Sequence, residues 1–145
     1  MTSIPTIKSG LAEDASIATA LPLYLSSVPA GLPFAVENDL DEELDLLGLL
    51  IQHPDDTFFC RVSGDSMEGA GIFDGDILIV DRALQPKHGD VVVAAVAGEV
   101  TCKYLDMNRH RLLPANDKYR PIEMPDGSDL VIEGVVVHSI RCHRN

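Results

Sequence analysis

From residue 57 onward the chain is built of short apolar runs broken by Gly, Asp and Pro. Residues 58–63, 76–81, 90–96, 99–105, 111–115 and 130–140 are rich in Val, Ile, Leu, Phe and Cys and bounded by turn formers, which predicts six β-strands. Ala97 and Gly98 separate two of these runs by the two residues of a tight hairpin. No helical period competes in this stretch, so the expectation is a mainly β domain of twisted antiparallel sheet. Upstream the pattern differs. Leu40, Leu44, Leu47 and Ile51 recur at helical spacing beside an acidic run at residues 37–45, which predicts a short amphipathic helix with its leucines packed and its carboxylates in water. Residues 1–35 carry Pro5, Pro22, Pro29 and Pro33, which block long helices and predict an extended, flexible N-terminal arm. The expected division is an arm over residues 1–48 and a folded domain over residues 49–145.

Composition narrows the function. A chain of 145 residues with 46% hydrophobic content can bury one domain core. A net charge of −12 opposes counterion-driven binding to a phosphate backbone, so direct DNA binding is not expected. Three cysteines, Cys60, Cys102 and Cys142, suit a reducing compartment better than a disulfide framework, which predicts a cytoplasmic protein. Residues 15–25 are apolar and Val28-Pro29-Ala30 resembles a leader-cleavage site, but Lys8 is the one basic residue ahead of them, and Glu13, Asp14 and Pro22 break the pattern. No apolar run reaches the roughly 20 residues a membrane helix needs.

The segment VSGDSMEGAGIFDGDILIVDR, residues 62–82, places Ser66 in a Gly-rich turn just after a predicted strand. A serine there can be exposed while neighbouring backbone N–H groups converge as an oxyanion hole. Taken alone, such a serine is more often a turn former. A base is needed. His53, His88, His110, His138 and His143 show no Asp partner by pattern, so a Ser-His-Asp triad has no support in the sequence. Lys103 shares a strand face with Thr101 and Leu105, and burial there would favour the neutral amine of a general base. The bland alternative is a lysine that extends its head to water. Cys102 should point to the other face as a core thiol. His138, Cys142 and His143 lack a fourth ligand for a metal, and no cofactor is expected.

An ordered series of motifs then comes into view: Leu50-Ile51-Gln52-His53-Pro54, Ser63-Gly64-Asp65-Ser66-Met67, Gly71-Ile72, Asp74-Gly75-Asp76, Leu78-Ile79-Val80-Asp81, His88-Gly89-Asp90, and Gly98-Glu99 followed by Thr101 and Lys103. In these the chain resembles the UmuD group of the LexA-like self-cleaving proteases. The resemblance implies the LexA/UmuD C-terminal-like fold, with Ser66 and Lys103 as catalytic dyad and the backbone of Ser66 and Asp65 as oxyanion hole. It implies a cut between a small residue and Gly, which Val28-Pro29-Ala30-Gly31 fits as the only Ala-Gly pair within the arm. An ordinary lysine near 10.4 costs about 4.6 kcal/mol to deprotonate at pH 7, so burial must supply much of the difference. The resemblance further implies homodimerisation, activation by RecA filaments on single-stranded DNA, and a cleaved form that joins a UmuC-like Y-family polymerase in the SOS response to DNA damage. The competing expectations are a non-catalytic binding module with a vestigial dyad, and a signal-peptidase-like enzyme acting on other proteins.

Overall fold

In the computed structural model, residues 20–24, 40–124 and 130–144 are described. The chain divides into two units between Gln52 and His53. The first holds strands β1 (Ala20–Tyr24) and β2 (Leu40–Asp45), paired antiparallel with Ala20 opposite Asp45, followed by a five-residue helix, Leu46–Leu50. The predicted helix is thus corrected: Leu40–Asp45 is extended, because pairing with β1 supplies its backbone with partners that leucine spacing cannot reveal. The helix begins only after Asp45, whose carboxylate accepts the Gly48 N–H at 3.1 Å as an N-cap. Of the residues expected to pack, Leu47 is about half exposed, as are its helix neighbours Leu46 and Leu49. Within the stretch read as an arm, Ala20–Tyr24 is a strand, and Pro22 is tolerated there because a two-stranded sheet leaves an edge with no donor required. Residues 1–19 and 25–39 of that arm, Ala30 and Gly31 among them, lie outside the described residues.

The second unit is one antiparallel sheet of seven strands: β3 (Thr57–Arg61), β4 (Ile77–Asp81), β5 (Val91–Val96), β6 (Glu99–Asp106), β7 (Arg111–Leu113), β8 (Ile122–Glu123) and β9 (Leu130–Ile140). Their order is β3-β4-β9-β5-β6-β7-β8. All six predicted strands are present, with ends shifted by a residue or two. β8 escaped prediction because two residues carry no periodicity. The β5–β6 turn is the expected hairpin: Ala97 and Gly98 both have positive φ, 50° and 83°, which matches the twist of the flanking strands.

Strand β9 organises the sheet. Its last residues pair with β4 and its first with β5, and Val135 faces both Asp81 and Val92. Register shifts at Ile79/Val80 and Val93/Ala94 add twist where the two pairings meet. Gly134 sits at this crossing, where a Cβ would come within 2.6 Å of Val80 Cγ1. Both faces of the sheet carry buried residues. Met67, Ile72, Leu78, Val80 and Val93 form one core cluster, and Val92, Ala94, Leu105, Leu112 and Val135 form the other. Neighbours Val92 and Val93 enter opposite clusters, as the period of two demands.

The end of β9 is tied to the loop after Ser66. The Arg141 guanidinium donates to both Asp76 oxygens, at 3.0 and 2.9 Å, and to the Gly71 carbonyl at 2.8 Å, and it lies over the Phe73 ring. Phe73 N–H also donates to Asp76. The hydrogen bonds from Arg141 hold the buried Asp76 carboxyl below the usual carboxylate range. On acidification the unfolded chain therefore takes up this proton first, so the pair's contribution is full above about pH 4 and fades as pH falls through the lower native value. Arg141→Ala is expected to lower the thermal midpoint by on the order of 5 °C at neutral pH. In melts from pH 7 to pH 3 the gap between variant and wild type should close.

Candidate active site

Ser66 lies in the connection between β3 and β4, whose ends are zipped together. Val62 N–H donates to Asp76 C=O and Gly75 N–H to Val62 C=O, both at 2.8 Å, and Gly64 N–H reaches the Asp74 carboxylate at 2.8 Å. Met67, only 2% exposed, plugs into the first core cluster and pins its neighbour Ser66 against the sheet. A second segment holds the turn from the other side. Ala115 N–H donates to Ser66 C=O at 2.8 Å, Gly69 N–H to Ala115 C=O at 2.7 Å, and Asn116 Nδ2 to Asp65 C=O at 2.9 Å. Gly69 permits this approach, because a Cβ there would stand 2.6 Å from the Ala115 oxygen.

Lys103 enters from β6, opposite Val92 of β5. It is 8% exposed, and its Nζ donates to Ser66 Oγ at 2.9 Å, Thr101 Oγ1 at 2.9 Å and the Cys102 carbonyl at 3.1 Å. Two effects oppose each other here. Three acceptors match the three donors of an ammonium and favour the charged form. Burial without a carboxylate partner among the described residues favours the neutral amine. Burial wins: the Lys103 amine is pushed below its ordinary value of 10.5. Once neutral, it keeps two N–H donors for Thr101 and Cys102 and turns its lone pair to Ser66. The serine O–H then becomes the donor across the same contact, which is the arrangement of a nucleophile with its base.

A family model described as Peptidase S24-like matches residues 22–137. The chain belongs to the Peptidase S24-like family. Protein MucA of Salmonella typhimurium is 40% identical over 131 residues, covering 89% of this chain and 90% of that protein. Protein SamA of Salmonella typhimurium strain LT2 is 40% identical over 133 residues, 89% of this chain and 93% of SamA. Protein ImpA of Escherichia coli is 42% identical over 122 residues, 82% of each. The resemblance to the UmuD group therefore runs over most of the chain, and the mainly antiparallel β fold is that of an S24 domain.

In this S24 domain the cleft beside Ser66 is lined by Cys60, Val62, Met67, Leu78, Thr101 and Lys103 among others, an apolar floor with one amine at its edge. Burial pushes the Cys102 thiol up to about 12, so it is a poor nucleophile. The Cys60 thiol is raised by burial as well. Two histidines do find carboxylates, His53 with Asp81 at 2.6 Å and His88 with Asp106 at 3.6 Å, through contacts the sequence pattern did not show. Neither pair lines the Ser66 cleft. The N–H groups of Asp65 and Ser66 have no acceptor among the described residues. Asn116 and Tyr119, whose hydroxyl bonds the Asp65 carboxylate, went unnoticed in the sequence; Asn and Tyr among Pro114, Asp117 and Lys118 read as an ordinary polar loop.

An NMR titration of the Lys103 Nζ signal should give a midpoint below 10.5. Thr101→Val removes one acceptor of the ammonium and adds apolar surface, so the midpoint should move lower still. A midpoint at or above the ordinary lysine value would contradict the balance of burial over hydrogen bonding.

Proposed function

We propose that this chain is a self-cleaving serine protease that cuts its own N-terminal segment between Ala30 and Gly31, with Ser66 as nucleophile and Lys103 as general base. The observation that carries the reading is the 2.9 Å contact between a serine hydroxyl and a buried, carboxylate-free lysine amine. Membership in a serine-protease family and similarity to MucA, SamA and ImpA support it.

Neutral Lys103 takes the Ser66 proton as Oγ attacks the Ala30 carbonyl carbon. The tetrahedral oxyanion is held by the N–H groups of Ser66 and Asp65, which are free of other acceptors among the described residues. Collapse breaks the Ala30–Gly31 C–N bond, and the Lys103 ammonium returns its proton to the departing Gly31 amine. Water, giving its proton to Lys103, then attacks the acyl carbon and releases Ala30, and the Lys103 ammonium returns that proton to Ser66 Oγ. Because the substrate is part of the same chain or of a partner protomer, much of the entropic cost of encounter is already met.

The biological setting follows from the likeness to the UmuD group. We take the chain to act as a homodimer in the cytoplasm, its cleavage stimulated by RecA filaments on single-stranded DNA. The filament favours the conformer with the arm seated in the cleft and supplies no catalytic group. The shortened form then serves a UmuC-like Y-family polymerase in translesion synthesis during the SOS response.

Mass spectrometry of the purified chain with RecA, ATP and single-stranded DNA should reveal a new N-terminus at Gly31. Ser66→Ala and Lys103→Ala should leave the chain whole. Without RecA, cleavage should be slow at pH 7 and quicken toward pH 10, since rising pH removes the proton from Lys103. A chain that stays intact in the full mixture would instead favour the non-catalytic binding module.

A further inference from the structure

A peptide group is planar and trans, so the carbonyl of one residue and the N–H of the next point in opposite directions. Whatever grips the Asp65 carbonyl therefore sets the direction of the Ser66 N–H. That carbonyl accepts from Asn116 Nδ2 at 2.9 Å and, more weakly, from Glu68 N–H at 3.3 Å. The Asn116 amide is itself oriented, since its Oδ1 accepts the Lys118 N–H at 3.0 Å and leaves Nδ2 as the group that faces Asp65. Residues 114–119 contribute nothing to the lining of the Ser66 cleft. They hold the serine turn from outside that lining, so the Ser66 N–H, opposite the gripped carbonyl, points away from Asn116.

We propose that Asn116 is a positioning residue, which aims the Ser66 N–H at the oxyanion through its hydrogen bond to the Asp65 carbonyl. The inference rests on the self-cleavage reading for its consequence but not for its geometry. Among the described residues Asn116 makes no hydrogen bond to Ser66 or Lys103. Its effect is to spare the oxyanion donor from reorienting when negative charge develops, which is what makes such a donor effective. Two neighbouring contacts hold the same turn: Ala115 N–H on the Ser66 carbonyl, and the Tyr119 hydroxyl on the Asp65 carboxylate. Of the three, only Asn116 acts on the peptide that carries the Ser66 N–H.

The test uses the full-length chain and two variants. Asn116→Ala removes the donor to Asp65 and the acceptor for Lys118. Asn116→Asp keeps the acceptor and places an oxygen where the donor was. Self-cleavage is followed from pH 7 to pH 10, and the order of the Ser66 amide by 15N relaxation. In both variants the high-pH rate should fall on the order of 10- to 100-fold, with the midpoint of the pH profile unmoved and the Ser66 amide more mobile. Wild-type rates in Asn116→Asp would overturn the proposal, because the Lys118 turn would then be all that matters. A midpoint displaced toward 10.5 along with the lost rate would also overturn it, since the effect would then run through the burial of Lys103. Should the variants fail to fold, the wild-type chain still decides: a Ser66 amide as mobile as the exposed loops refutes the positioning role. If the wild-type chain makes no cut at all, the protease reading fails, and the amide measurements alone judge Asn116.

Discussion

An amine kept out of water beside a hydroxyl is the interaction on which this molecule turns. In water a lysine is neutral at pH 7 in roughly one molecule in several thousand. At position 103 the apolar surroundings oppose the charge, while Ser66, Thr101 and the Cys102 carbonyl give the ammonium three acceptors. The contest leaves a lysine that titrates below its ordinary range and can still be recharged without being stranded. Both states are used in the proposed reaction, the neutral one to take a proton and the charged one to return it.

The strand order explains why the rest of the fold is needed. Ser66 belongs to the β3–β4 connection and Lys103 to β6, and β4, β9 and β5 lie between them in the sheet. A flat sheet with strands about 4.8 Å apart would hold the two elements far from contact. The β3–β4 connection closes that gap: its Met67, Ile72 and Ala70 pack with Val93, Cys102 and Tyr104 of β5 and β6, and Ser66 comes to 2.9 Å from Lys103. Met67 and the Arg141–Asp76 pair then secure the serine loop from the core side and from the end of β9, while residues 114–119 hold the turn itself.

The strands were legible because each is an apolar run bounded by turn formers, and the Ala97-Gly98 hairpin because only two residues separate its arms. Leu40–Asp45 was misread because leucines at 40, 44, 47 and 51 satisfy a helical period, while the pairing that makes the segment a strand lies some twenty residues upstream. The His53–Asp81 and His88–Asp106 contacts were hidden for the same reason, as they join residues far apart in the chain. Asn116 was hidden more deeply. Its role depends on which carbonyl its amide meets, and a polar loop gives no sign of that.

Local chemistry therefore named the strands and offered a serine in a glycine-rich turn and a lysine sharing a strand face with Thr101 and Leu105, and the ordered motifs of the family resemblance singled out that pair, because all of these are read from residues in chain order. Folding decided whether that lysine would be buried, which hydroxyl it would meet and which way the amide beside that hydroxyl would point. Those outcomes depend on the packing of a seven-stranded sheet and on contacts spanning 37 residues between Ser66 and Lys103 and 51 between Asp65 and Asn116. No local pattern encodes distances of that kind, since they are set by the packing of the whole core at once.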